Sequence, residues 1–155
     1  MLSPGDKAPD FDLPTDTGRV SLAGLKGKAV VLYFYPKDDT TGCTSEALQF
    51  SAEVEEFAKA GAVIIGVSKD SAASHGKFRK KHDLTVELAA DTLGETVEAY
   101  GSWVEKNMYG RKYMGIDRST FLIDREGVVR EVWRKVKVPN HVKAVLKAAQ
   151  ALKAS

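Results

Sequence analysis

Hydrophobic and polar positions change their period along the chain, and the changes lay out its elements. Residues 29–35 are an unbroken apolar run rich in β-branched and aromatic side chains, closed by Pro36, which predicts a central buried strand. Residues 62–68 predict a second one. Between them Ala47, Phe50, Val54 and Phe57 recur at i, i+3, i+7 and i+10, one face of a helix that starts near 40–43 and stops at Gly61. Residues 71–82 read as a polar second helix, 86–89 as a strand and 93–100 as a short helix. Residues 103–115 read as a loop rich in aromatic and basic side chains. The segments 119–124 and 128–133, joined by Arg125-Glu126-Gly127, predict an antiparallel hairpin. The last helix, 141–153, turns Val142, Val145, Leu146, Ala149 and Leu152 inward and Lys143, Lys147 and Lys153 outward. At the other end, residues 8–14 alternate, turn at 16–18 and predict a short β-hairpin ending near Val20.

Strand–helix–strand–helix order implies right-handed crossovers and a parallel sheet, and the late hairpin adds an antiparallel pair at one edge. The expectation is an α/β fold of thioredoxin-like arrangement, a mixed sheet with helices on both faces and an N-terminal hairpin. Composition shows no break over 155 residues, so one domain spanning 1–155 is expected. A net charge of +2 gives no reason to expect nucleic acid or a membrane surface as partner. The start lacks the basic and apolar regions of a secretory signal, and no apolar stretch approaches the ~20 residues of a membrane span, so a cytoplasmic location is expected. Three histidines at scattered spacings make a poor metal site, and no glycine-rich nucleotide loop is present, so no cofactor is expected.

Candidate chemistry centres on the single cysteine, Cys43. With no second cysteine, an intramolecular disulfide and a paired-cysteine redox site are both excluded. Cys43 stands between a buried strand and the first turn of a helix, where free N–H groups and the positive end of the helix dipole favour an anion. A helix terminus contributes only ~0.3–2 kcal/mol, so a reactive thiolate here requires a cation as well. The surrounding residues 36–44 are polar and turn-forming, which predicts a thiol that meets solvent rather than a core filler.

Pro36, Thr40 and Cys43 stand in a P-x-x-x-T-x-x-C pattern that resembles peroxiredoxins. The fuller string 33–40, with Gly5-Asp6-Lys7-Ala8-Pro9, Gly66-Val67-Ser68, Ser74-His75, 109–115 and 118–124, is similar to the branch called bacterioferritin comigratory protein or peroxiredoxin Q. The resemblance implies a thiol-dependent peroxidase with Cys43 as nucleophile, Thr40 as hydroxyl partner of thiolate and peroxide, Arg118 as the cation and Pro36 as a shield against water. Backbone N–H groups near Gly42 would bind the far peroxide oxygen, and Glu46, one turn on, would pair with Arg118 or remain a solvated acid. Acidity alone gains little rate, because a few per cent of an ordinary thiol is ionised at neutral pH. Oriented donors that hold peroxide in line must supply more.

The chain departs from many relatives at position 48, where Leu48 stands in place of a resolving cysteine, and at Thr41, where proline is frequent. A sulfenic acid on Cys43 therefore needs an external thiol: thioredoxin, a glutaredoxin or glutathione. The alternative is a peroxide sensor that acts once through a mixed disulfide. A cysteine hydrolase would need His75, His82 or His141 beside Cys43, and the first two read as part of a solvated basic face. Trp103, Tyr109, Tyr113 and Met114 are candidates for the apolar side of the site, for core or for a weak dimer patch on an expected monomer.

Overall fold

The computed structural model describes residues 1–154. From the N-terminus the chain forms a hairpin, β1 (Asp12–Pro14) and β2 (Arg19–Ser21), then β3 (Ala29–Phe34), α1 (Thr41–Ala52), α2 (Val54–Lys59), β4 (Ala62–Ser68), α3 (Ala72–His82), β5 (Glu87–Ala90) and α4 (Glu95–Ala99). A second hairpin, β6 (Trp103–Met108) and β7 (Arg111–Ile116), precedes β8 (Ser119–Ile123), β9 (Val129–Trp133) and α5 (His141–Ala154).

The central sheet runs β5-β4-β3-β8-β9. β3, β4 and β5 are parallel; β8 lies antiparallel to β3 and β9 antiparallel to β8. β3 takes the middle because all six of its residues are apolar and buried, so both its faces need cover. Alternation divides that cover. Val31, Tyr33 and Tyr35 pack with Phe50, Phe57, Phe78, Val142 and Val145 from α1, α2, α3 and α5. Val30, Leu32 and Phe34 face Phe11, Leu13, Val97, Tyr100 and Ile116. Helices thus cover both faces of a mixed sheet, as the pattern predicted. Among the described residues no helix is long and apolar enough to cross a membrane.

Two expectations need correction. The helix predicted from about 40 to 61 breaks at Glu53 (φ −109°, ψ 8°) into α1 and α2. Ala47, Phe50 and Phe57 are nevertheless buried and Val54 packs against them, so the apolar stripe survives the break. The predicted loop 103–115 is a hairpin, turning through left-handed Tyr109 (φ 52°) and Gly110 (φ 78°). Its strands bond only to each other and bury neither face fully, so no apolar alternation marks them. Tyr109 is 99% exposed, and Tyr113 and Met114 are exposed too, so none of the three is core; Trp103 alone packs inward, with Lys69 Nζ 4.3 Å from its ring centroid.

Candidate active site

Cys43 is the third residue of α1, after the extended cap residue Thr40 (φ −94°, ψ 159°). The chain reaches it from the end of β3 through Pro36–Thr40. Because β8 is antiparallel to β3, its first residue, Ser119, pairs with Phe34. Arg118, the residue before, is therefore delivered to the same end of the sheet as Cys43. Hydrogen bonds between Ser102 and Ser119 hydroxyls (2.7 Å) and from Ser119 Oγ to the Asp117 carbonyl (3.0 Å) hold that strand start.

Arg118 is the hub of the site. Its Nη2 donates to Cys43 Sγ at 3.3 Å and its Nη1 donates to Glu46 Oε1 at 2.6 Å. Glu46 lies one turn after Cys43, so the two side chains share a helix face and one guanidinium fork spans both. Glu46 is fully buried, and its Oε2 has no hydrogen-bond partner among the described residues. Burial pushes the Glu46 carboxyl up to about 7, with the Arg118 charge and hydrogen bond pulling the other way. Burial would lower Arg118, but Glu46 and Cys43 reverse that and raise it. Gly42 makes the approach of Arg118 feasible: a Cβ there would stand 3.1 Å from Nη2.

A family model described as AhpC/TSA matches residues 4–132, most of the chain and both sides of this cysteine–arginine pair. The chain belongs to the AhpC/TSA family. Among AhpC/TSA relatives, a putative peroxiredoxin Bcp of Coxiella burnetii is 53% identical over 92% of this chain and 95% of its own. Peroxiredoxin Bcp of Bacillus subtilis is 53% identical over 92% and 91%. The bacterioferritin comigratory protein of Xanthomonas campestris, solved in trapped-intermediate and ligand complexes, superposes with a TM-score of 0.88 at 45% identity over 92% of each chain. A cysteine-to-serine mutant of peroxiredoxin Q from Xylella fastidiosa superposes with a TM-score of 0.92 at 35% identity over 97% of each. The chain is thus an AhpC/TSA protein of the Bcp, or peroxiredoxin Q, branch; its fold is that of thioredoxin-like peroxiredoxins and its activity that of a thiol peroxidase.

Within this AhpC/TSA member the predicted site residues fall into two groups. Cys43, Arg118, Glu46 and Gly42 converge. Thr40 and Pro36 lie on the approach and are exposed, and the Thr40 hydroxyl donates to the Lys37 carbonyl (2.9 Å) rather than to sulfur. Cys43 itself is 2% exposed, not open to solvent as its polar neighbours predicted, because its side chain turns inward onto Tyr33, Tyr35 and Phe50. Glu46 as a solvated acid is likewise overturned: the ion pair with Arg118 carries it inside.

The largest surprise is His75. Sequence reasoning placed it on a solvated face, yet it is fully buried, within reach of Asp38 Oδ2 (2.8 Å), the Ala89 carbonyl (3.0 Å) and the Tyr35 hydroxyl (3.4 Å). The spacing His75-Phe78-His82, i, i+3, i+7, marks the inward face of α3 and was the available signal. His82 bonds Asp39 Oδ1 and His141 bonds Thr120 Oγ1, each at 2.8 Å. Among the described hydrogen bonds none joins a histidine to Cys43, which removes the structural basis for a cysteine hydrolase.

Proposed function

We propose that Cys43 is the peroxidatic nucleophile of a one-cysteine cycle. The observation that carries the reading is the single guanidinium with one N–H on Cys43 Sγ and another on a buried carboxylate. The Cys43 thiolate attacks the terminal oxygen of a hydroperoxide, the O–O bond breaks, and the departing alkoxide takes a proton and leaves as alcohol, or as water from hydrogen peroxide. Sulfur keeps the OH as a sulfenic acid. Arg118 stabilises the thiolate and then the charge growing on the departing oxygen. The N–H of Gly42 and the Thr40 hydroxyl, once turned from Lys37, hold the peroxide in line, and Pro36 limits access of water.

An external thiol then displaces the hydroxyl as water to form a mixed disulfide, and a second thiol releases Cys43 as its thiolate. Thioredoxin, glutaredoxin or glutathione supplies those thiols in a reducing cytoplasm. The Xanthomonas relative is described as reducing alkyl peroxides, which supports organic hydroperoxides beside hydrogen peroxide as substrates here.

The test is the loss of the Cys43 thiol against hydrogen peroxide by stopped-flow, with Cys43→Ser as control and free cysteine thiolate as reference. The expected result is oxidation orders of magnitude faster than the reference, lost in Arg118→Met, with repeated turnover once a dithiol is added. Oxidation no faster than free thiolate would defeat the reading. Fast oxidation that stops after one equivalent, with dithiol present, would favour the sensor.

A further inference from the structure

Cys43 is 2% exposed, and the chain has no second cysteine that could carry the oxidising equivalent outward. A thiol that resolves oxidised Cys43 must therefore bring its own sulfur into the pocket. A low-mass thiol meets that demand with less disturbance than a thiol fixed on a protein surface. Beside the pocket lies a cation that the cycle above does not use.

Lys106 stands on β6 opposite Tyr113 of β7. Opposed residues of a ladder share a face, as do residues two apart on one strand, so Lys106, Tyr113 and Gly115 lie on one side of the hairpin. The lysine stem leans along that side toward the hairpin base. A Cβ on Gly115 would stand 3.3 Å from Lys106 Cδ and 3.5 Å from its Cε, with Tyr113 Cε2 at 3.4 Å. No left-handed φ demands glycine at this position, so what Gly115 supplies is room for the stem. From the base, β7 runs through Ile116 and Asp117 into Arg118, and the Asp117 N–H donates to the Ser102 carbonyl (2.7 Å) to close it. Lys106 thus extends toward the end of the sheet that carries Arg118 and Cys43.

The charges around it agree with that placement. Burial lowers the half-buried Lys106 ammonium below the ordinary lysine value; Asp117 and Cys43 work to raise it and Arg118 to lower it. The Asp117 carboxylate is engaged elsewhere, accepting from the Lys135 backbone N–H (3.3 Å). Among the described residues Lys106 makes no hydrogen bond or salt bridge. Arg118, by contrast, has its charge matched by Glu46 at 2.6 Å. The pocket keeps a cation with no counter-ion in bonding reach.

We propose that Lys106 is a specificity-determining residue for the resolving step: it binds the carboxylate of a low-mass anionic thiol and so brings that thiol's sulfur to oxidised Cys43. This rests on the one-cysteine cycle above. The incoming sulfur forms an S–S bond with Cys43 as the S–O bond of the sulfenic acid breaks, and the hydroxyl leaves as water with the thiol's proton. A second thiol gives up its proton, attacks the outer sulfur and departs with it as a free disulfide. Cys43 returns as thiolate. A cation beside the pocket also raises the local concentration of anions, which speeds their arrival.

The experiment oxidises the whole protein with one equivalent of hydrogen peroxide and follows loss of the sulfenic acid by stopped-flow. The thiols are mercaptoacetate, 2-mercaptoethanol and cysteamine, of similar size but anionic, neutral and cationic, with rates corrected for thiolate fraction. At low salt mercaptoacetate should outpace cysteamine by roughly tenfold, with 2-mercaptoethanol between them, and high salt should narrow the gap. Lys106→Gln should shrink it to within about twofold, while Lys106→Arg retains it. Rates in wild type that ignore thiol charge, or a preference that persists in Lys106→Gln, overturn the proposal. Exchange of reduced Cys43 with dithiodiglycolate, hydroxyethyl disulfide and cystamine repeats the charge series without peroxide. If peroxide forms no sulfenic acid, the peroxidase reading fails, and this second series still decides Lys106: the same order is expected, and equal rates sink its role.

Discussion

At the level of single residues, the site depends on an absence as much as on side chains. Gly42 has no positive φ to require it, and its neighbours in α1 are ordinary helix residues. Its function is spatial: an added methyl would stand 3.1 Å from Arg118 Nη2, and the guanidinium would have to give by a few tenths of an ångström. Alanine is the better helix former by ~1 kcal/mol. Gly42→Ala is therefore expected to hold or slightly raise the melting temperature while Cys43 oxidation slows about tenfold or more. Equal rates in variant and wild type, read by stopped-flow, would show that Arg118 needs no such room. The resemblance singles out Pro36, Thr40, Cys43 and Arg118; of these the fold joins Cys43 to Arg118, while Thr40 and Pro36 lie on the approach. In the sequence Glu46 stands between pairing with Arg118 and a solvated acid, and His75 reads as part of a solvated face, because burial is a property of the surroundings and not of the residue type.

Among elements, α1 sets how an oxidised Cys43 is resolved in the proposed cycle. Cys43 is buried under its first turn and Leu48, five residues on, is 43% exposed. Five residues of helix rise about 7.5 Å, beyond the ~6.8 Å limit of Cα separation for a disulfide. Leu48→Cys is thus expected to form an internal disulfide after one equivalent of peroxide only by unwinding the start of α1. The checks are thiol counting together with helical circular dichroism, which should fall on oxidation and recover on reduction. A disulfide that forms with the helix signal intact, or none at all, would contradict this. In the proposed cycle the native leucine leaves the helix without that constraint and the sulfenic acid to an outside thiol. The β6–β7 hairpin teaches the complementary lesson: its strands are held by their own ladder and a left-handed Tyr109-Gly110 turn, so a search for apolar alternation passes over them.

For the molecule as a whole, two buried groups beside Arg118 set opposite limits on stability. Glu46 is raised from 4.5 to about 7 by burial against the pull of Arg118. Its contribution to stability is complete below about 4.5 and is lost as pH rises through about 7. His141 is lowered from 6.5 to about 4 by burial and by the Arg118 charge. Its contribution is complete above about 6.5 and is lost as pH falls through about 4. Urea unfolding of Glu46→Gln against wild type between pH 5 and 8 should therefore show the gap moving in favour of the variant by an amount on the order of 3 kcal/mol as pH rises. Parallel stability curves would mean that Glu46 stays ionised throughout, its burial fully offset by Arg118.

The amino-acid sequence by itself determined the central sheet, the order of the strands that build it and the residue proposed as nucleophile. Those follow from local periodicity and from one reactive residue type, which a linear pattern carries. The antiparallel pairing of Phe34 with Ser119, which delivers Arg118 to Cys43 across 75 positions, was decided by the tertiary structure. So were the inward turn of the thiol, the burial of Glu46 and the enclosure of His75 against Asp38. Each of these is set by which faces meet and which charges lose water together, and such environments exist only once distant segments have packed.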